Sequence, residues 1–232
     1  MHVPMMTIAD NKILKRGEIK RVLHELHRKA PKSINTRQTL IVFRLACCCG
    51  LRVSELCGLR LRDVKVNLER PYIRVGKSIA KGKKTKMVNG RKQKVGNKAT
   101  ARQIPLWWDQ ATLDDLRSWK EFRERQGAGA NDYFVCSQRK GAFGKRLDRR
   151  NARTRFIRAC KVLGEERQAD ITIHHGRHSF ISHALAGGRS LAEVAQAAGH
   201  RRISTVAIYC NVTVEDDHEI GNLFTFENGE AA

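Results

Sequence analysis

Three short stretches of this chain set charged or polar groups inside apolar surroundings: "GLRVSEL", "HHGRHSF" and "GHRRISTVAIY". A purely solvated face would not mix them so. The first places Arg52 and Glu55 three residues apart, on one face of a helical turn. Alone, it reads as a structural ion pair. The second sets His174, Arg177 and His178 at the start of a helix, where unpaired N–H groups and the helix dipole favour an anion. Alone, it reads equally as a capped helix start with solvated charges. The third has His200 after Gly199 and then Tyr209 in a helical turn, with almost no other aromatic residue nearby. That tyrosine is either core filling with its hydroxyl at the edge, or a nucleophile.

Such groups need a scaffold, and hydrophobic periodicity outlines one. Ile19, Val22, Leu23 and Leu26 recur at helical spacing within "KRGEIKRVLHELHRKA", which predicts an amphipathic helix with a basic outer face. Residues 37–49 are apolar on most sides and predict a central helix stopped by Gly50, with a short helical turn next at "VSELCGL". "YIRV" alternates as a strand, and "ARQIPL" is its return partner. Between them "GKSIAKGKKTKMVNGRKQKVGNKAT" forms a long hairpin, too polar to pack and loaded with lysine and glycine.

Helical spacing resumes at "LDDLRSWKEF", stops in the loop "QGAGAND" and passes through a short extended "YFV". In "RLDRRNARTRFIRACKVLG" Phe156, Cys160 and Leu163 share one face while Arg149 and Arg153 lie away from it, so the helix turns a basic face outward. Two more helices fall near residues 174–186 and 191–198, and an acidic, weakly patterned tail follows Val214. The fold class is mainly α with a small antiparallel β-sheet (α+β). The organisation is an N-terminal arm over residues 1–12, one domain over 13–214 and a C-terminal tail over 215–232.

At 232 residues and 41% hydrophobic content the chain can bury a substantial core. Its 45 Lys and Arg against 23 Asp and Glu leave a formal charge of +22, a surplus of the sign that attracts a polyanion, with nucleic acid first in line. No run of 18 apolar residues and no secretion signal is present, so no membrane partner and a cytoplasmic location are expected. Cys47, Cys48 and Cys49 occupy adjacent helical positions that point in different directions and cannot share one metal, and no pair has CxxC spacing. They read as reduced core filling, and no metal site is expected.

Taken together, the three stretches resemble the tyrosine recombinases, or phage integrases, in their catalytic domain, from about Ile13 to Val214 and with every motif in order. "GLRVSEL" resembles the first arginine box, which implies that Arg52 binds phosphate and Glu55 supports it. "HHGRHSF" resembles the second box, usually His-x-Leu-Arg-His. His174 and Arg177 thereby inherit the histidine and second arginine roles, and His178 a supporting one. "AGH" resembles Leu-Gly-His and implies His200, and "STVAIYC" the tyrosine box, with Tyr209 as nucleophile. The catalytic lysine sits in the hairpin of the family, where "AKGKKTK" offers Lys81 as the best match, Lys77 next and Lys98 third. Gly176 stands where leucine is usual, which predicts a lost apolar anchor beneath Arg177 and a looser helix start. Nothing before residue 13 matches the separate DNA-clamping domain, so weak sequence preference is expected.

The chemistry implied is metal- and ATP-independent cleavage and rejoining of double-stranded DNA through a 3′-phosphotyrosyl link. No cofactor is expected, in keeping with the absence of a GxxxxGK[ST] loop or clustered carboxylates. Arg52 and Arg177 would hold the non-bridging oxygens with planar forks that stay charged at any working pH, and His200 would add a third donor. His174 would help take the tyrosine proton, while nearby arginines favour the phenolate. Lys77, Lys83, Lys84, Arg149 and Arg153 are expected to contact DNA phosphates, and the chain to self-associate on DNA as a synaptic tetramer. A type IB topoisomerase activity, or a binding module that has lost catalysis, are the alternatives.

Overall fold

The computed structural model of the protein describes residues 8–79, 83–88, 90–96, 101–210 and 222–224. Its centre is α2, Ile34–Phe43, which runs on through a wider π-type turn at Arg44–Cys48. Leu40, Ile41, Val42, Phe43, Leu45, Ala46 and Cys47 are all buried, as expected of a helix apolar on most sides. Across it lies α1, Arg16–Lys29, which buries Ile19, Val22, Leu23 and Leu26 and leaves its charged residues outward. On the other side α5, Arg149–Ala159, stacks Phe156 on Phe43 with ring centroids 5.2 Å apart.

The sheet is small and antiparallel, ordered β1-β2-β5. Its strands are β1, Val64–Lys65, β2, Tyr72–Val75, and β5, Arg102–Pro105, and Ile73 faces Ile104 in the central pair. Strand alternation turns Ile73, Val75 and Ile104 into the core and leaves Arg74 and Gln103 exposed. The polar hairpin between these strands carries a ribbon of its own, with β3, Lys83–Val88, paired to β4, Arg91–Gly96. Neither that ribbon nor the two-residue β1 is visible in the hydrophobic pattern.

The remaining helices are α3, Val53–Leu56, α4, Gln110–Arg125, α6, Glu165–Asp170, α7, Ile173–Ala186, α8, Leu191–Ala198, and α9, Ser204–Ala207. The starts of α4, α5 and α8 are set by side chains that accept otherwise unpaired N–H groups: Asp109 from Thr112, Asp148 from Arg150 and Asn151, and Ser190 from Glu193. None of the described helices is long and apolar enough to cross a membrane.

Two sequence expectations bear on how these elements pack. Gly176 does not loosen α7. It is buried where that helix crosses the π-type turn, and a Cβ there would lie 3.2 Å from the Ala46 carbonyl carbon and from the Phe156 ring. Glycine is what lets the two elements approach. Within the segment expected as a tail, residues 222–224 dock on the body. The Leu223 N–H donates to the Trp108 carbonyl at 3.2 Å and the Phe224 N–H to Asp109 Oδ1 at 3.0 Å, while Phe224 is buried edge-on to His183.

Candidate active site

The site is assembled where α2 ends, α3 and α7 begin, and α8 and α9 turn. Gly50 closes α2 with a φ of +62°, and the Phe180 ring lies so close that a Cβ would stand 2.4 Å from it. Only glycine fits that left-handed turn. Its carbonyl is thereby aimed at α7 and accepts from Arg177 Nη1 at 2.7 Å. Arg177 Nη2 donates to the Ala198 carbonyl at the end of α8. Two of its five N–H donors are thus engaged by backbone, and the fork is fixed before any ligand arrives. Burial, then the charge of Arg52, pushes its guanidinium down to about 9, still charged at neutral pH.

Arg52 stands just before α3 and Glu55 in its first turn. Glu55 accepts the Arg52 backbone N–H at 2.9 Å and Arg52 Nη1 at 3.0 Å, so the ion pair legible in the sequence is real. It is incomplete without Arg102 of β5, whose Nη1 and Nη2 donate to Oε1 and Oε2 at 3.0 and 2.8 Å. Burial alone would raise the Glu55 carboxyl. The bonds and charge of Arg102, followed by the charge of Arg52, outweigh it and leave the group below its ordinary value. Sequence reasoning passed over Arg102. The available signal was the strand alternation, which places it on the inward face with Ile104 and so requires a buried partner.

His200 follows Gly199, which ends α8 in the left-handed region at φ +70°, and its N–H bonds back to the Ala195 carbonyl at 2.8 Å. Its Nε2 is buried with no hydrogen-bond partner among the described residues. Burial first, then the charges of Arg177, Arg52 and Arg102, pushes the ring down to about 4, so it is neutral at physiological pH.

Tyr209 is buried beyond α9 at 5% exposure, and its hydroxyl lies 2.6 Å from Nδ1 of His178. Of the two histidines at the start of α7, the one expected in the supporting role is nearer the hydroxyl. It is His178 that meets the tyrosine, while His174 sits edge-on behind it with ring centroids 4.8 Å apart. The expected pull of the arginines is present but outweighed in the DNA-free site. Burial raises the phenol above its ordinary value, and the opposing charge of Arg177 is the smaller effect. His178 is held down to about 4, by burial first and then by His174 and His175.

The residues expected to contact DNA lie on α5, just past β2 and on β3. Arg149 and Arg153 are exposed one turn apart on α5. Close by, Arg146 donates to the Cys57 and Ser54 carbonyls at the end of α3. Lys77 is exposed just past β2, and Lys83 and Lys84 stand on β3 opposite Gly96 and Val95. Lys81 and Lys98 lie outside the described residues. Among the described residues no group of His, Cys, Asp or Glu side chains is placed to hold a metal ion.

Comparison with known proteins agrees with this geometry. The model of the Phage integrase family matches residues 12–216. The chain is 32% identical over 177 residues to tyrosine recombinase XerC of Corynebacterium efficiens, covering 76% of this chain and 47% of that protein. It is 30% identical over 204 residues to tyrosine recombinase XerA of Thermococcus kodakarensis, covering 88% and 59%. It therefore spans about half the length of these relatives. The crystal structure of XerA recombinase superposes with a TM-score of 0.64 over 91% of this chain and 61% of that one, at 20% identity. XerH site-specific recombinase bound to its difH substrate gives 0.64 over 91% and 53%, at 18% identity. At such identities the structural likeness is one of fold, and with the sequence match it leads to one conclusion: the chain belongs to the phage integrase family of tyrosine recombinases.

Proposed function

We propose that this chain cuts and rejoins double-stranded DNA, with Tyr209 as the nucleophile and Arg52, Arg177 and His200 as the cradle for the scissile phosphate. The observation that carries the reading is the placement of Arg177. Backbone carbonyls fix its fork, and its charge is felt by His178, His200 and Tyr209. Such a preorganised donor stabilises charge as it develops on phosphorus oxygens in a site with little water. His200 Nε2, buried without a partner, is suited to one of those oxygens.

The Tyr209 oxygen bonds to phosphorus, the bond to the 5′ oxygen breaks, and a 3′-phosphotyrosyl link and a 5′-hydroxyl end remain. The phenol proton passes to His178, and the leaving oxygen takes a proton from a hairpin lysine, Lys81 being the best match. A 5′-hydroxyl from another strand reverses these steps, so bond energy is conserved. Strand exchange of this kind calls for paired sites and self-association on DNA as a synaptic tetramer. The named activities of the relatives, site-specific recombinases among them, support the assignment. The packing of Gly176 removes one ground for reading the chain as an impaired binding module.

The test is incubation with a random-sequence duplex library, followed by denaturing recovery of covalent complexes and sequencing of the trapped DNA. Trapped DNA that disappears in Tyr209→Phe supports the proposal, and covalent complexes that persist in that variant overturn it. Relaxation of supercoiled plasmid without strand exchange would assign the same chemistry to a topoisomerase.

A further inference from the structure

Arg102 has a place in this site that neither the motifs nor the proposed reaction assigns. Its guanidinium is buried and engages two elements at once. The two Nη atoms grip both Glu55 oxygens, and Nε donates to the Ala197 carbonyl at 2.8 Å. The next carbonyl, Ala198, takes Arg177. Consecutive carbonyls at the negative end of α8 therefore hold two arginines of the site. The backbone also leans on Arg102, for a Cβ at Gly199 would lie 2.8 to 3.0 Å from its Cδ, Nε and Cζ. His200 is the next residue.

We infer that Arg102 is a positioning residue for strand cleavage, setting Arg52 through Glu55 and His200 through the end of α8 in one register. The inference rests on the reading that Arg52 and His200 hold the phosphate. A planar fork is required because the three bonds run to a carboxylate and a carbonyl in fixed directions. Lysine keeps the charge and loses the fork.

The experiment compares wild type, Arg102→Lys and Arg102→Gln, using the duplex library described above. It measures covalent-complex formation in a single turnover, noncovalent affinity, thermal stability, and the NMR resonance and titration of the His200 ring in DNA-free protein. Arg102→Gln is expected to slow cleavage about a hundredfold, the scale of a misplacement near 1 Å, at unchanged DNA affinity. Arg102→Lys falls between, and serves alone if the glutamine variant does not fold. The His200 resonance moves in both variants, and its midpoint rises in Arg102→Gln because a neighbouring positive charge is gone. Glu55→Gln combined with Arg102→Gln is no slower than the worse single variant, since both act on Arg52. Wild-type cleavage in Arg102→Lys, or a rate loss matched by equal loss of affinity or stability, overturns the inference. If wild type traps no DNA, the functional reading fails and the His200 resonance decides: displaced, it supports a positioning role, and unmoved, it overturns one.

Discussion

Nδ1 of His178 stands 2.6 Å from the Tyr209 hydroxyl, while His174, the histidine that the family motif points to, meets the edge of the His178 ring. The proposed nucleophile, its pKa raised by burial, needs an acceptor at hand, and His178 is neutral well below physiological pH. His178→Gln is therefore expected to slow covalent-complex formation by about a hundredfold, the lower end for loss of a general base, with little change in DNA affinity. His174→Gln should do less. Single-turnover cleavage of the two variants decides the order, and a normal rate in His178→Gln would return the proton to His174.

The two depressed histidines also set a pH dependence of stability. Both His178 and His200 lie near 4 in the fold against an ordinary 6.5, so between those values the unfolded chain binds protons that the folded chain rejects. Stability must then fall as pH falls through that window, and His175 adds to it in the same direction. The melting temperature should drop from pH 7 to pH 5, above the range where carboxylates protonate. His200→Gln should reduce that drop. An unchanged slope in the variant would place His200 in a less buried setting than the structure gives.

Much of this arrangement is legible in the sequence because it is local. The helices α1, α2, α7 and α8 follow from apolar spacing, and the Arg52–Glu55 pair from a three-residue offset. What escapes is long-range. Arg102 finds Glu55 across 47 positions, and nothing beside it in the chain marks it apart from other basic residues except its place on an inward strand face. The docking of Phe224 depends on Asp109, which also caps α4 and pairs with the buried Arg44. The β3–β4 ribbon pairs lysine-rich strands that carry no apolar alternation.

Gly176 gives a prediction that reverses the motif's preference. The family leucine, placed here, would drive a branched side chain into the Ala46 backbone and the Phe156 ring, both already 3.2 Å from a bare Cβ. Gly176→Leu should destabilise the protein by about 1–3 kcal/mol through overpacking, and Gly176→Ala by less. Denaturant titration measures it. A stabilised leucine variant would mean that the π-type turn of α2 recedes easily.

The last prediction concerns the acid. Loss of the 5′ oxygen from phosphorus leaves an alkoxide too basic to depart without a proton, so an ammonium donor has to reach it. The hairpin springs from the site itself, because Val75 pairs with Arg102, whose guanidinium grips Glu55. The proposed donor is a lysine of that hairpin, and Lys81, outside the described residues, is the best motif match. The plain alternative is that it only contacts backbone phosphates, as Lys77, Lys83 and Lys84 are expected to do. The two roles separate when sulfur replaces the bridging 5′ oxygen, since a thiolate leaves unprotonated. Lys81→Ala should cleave ordinary duplex very slowly yet cleave the sulfur-substituted strand at close to the wild-type rate. Equal defects on both substrates would make Lys81 a binding residue, and the same comparison on Lys77 and Lys98 would then identify the donor.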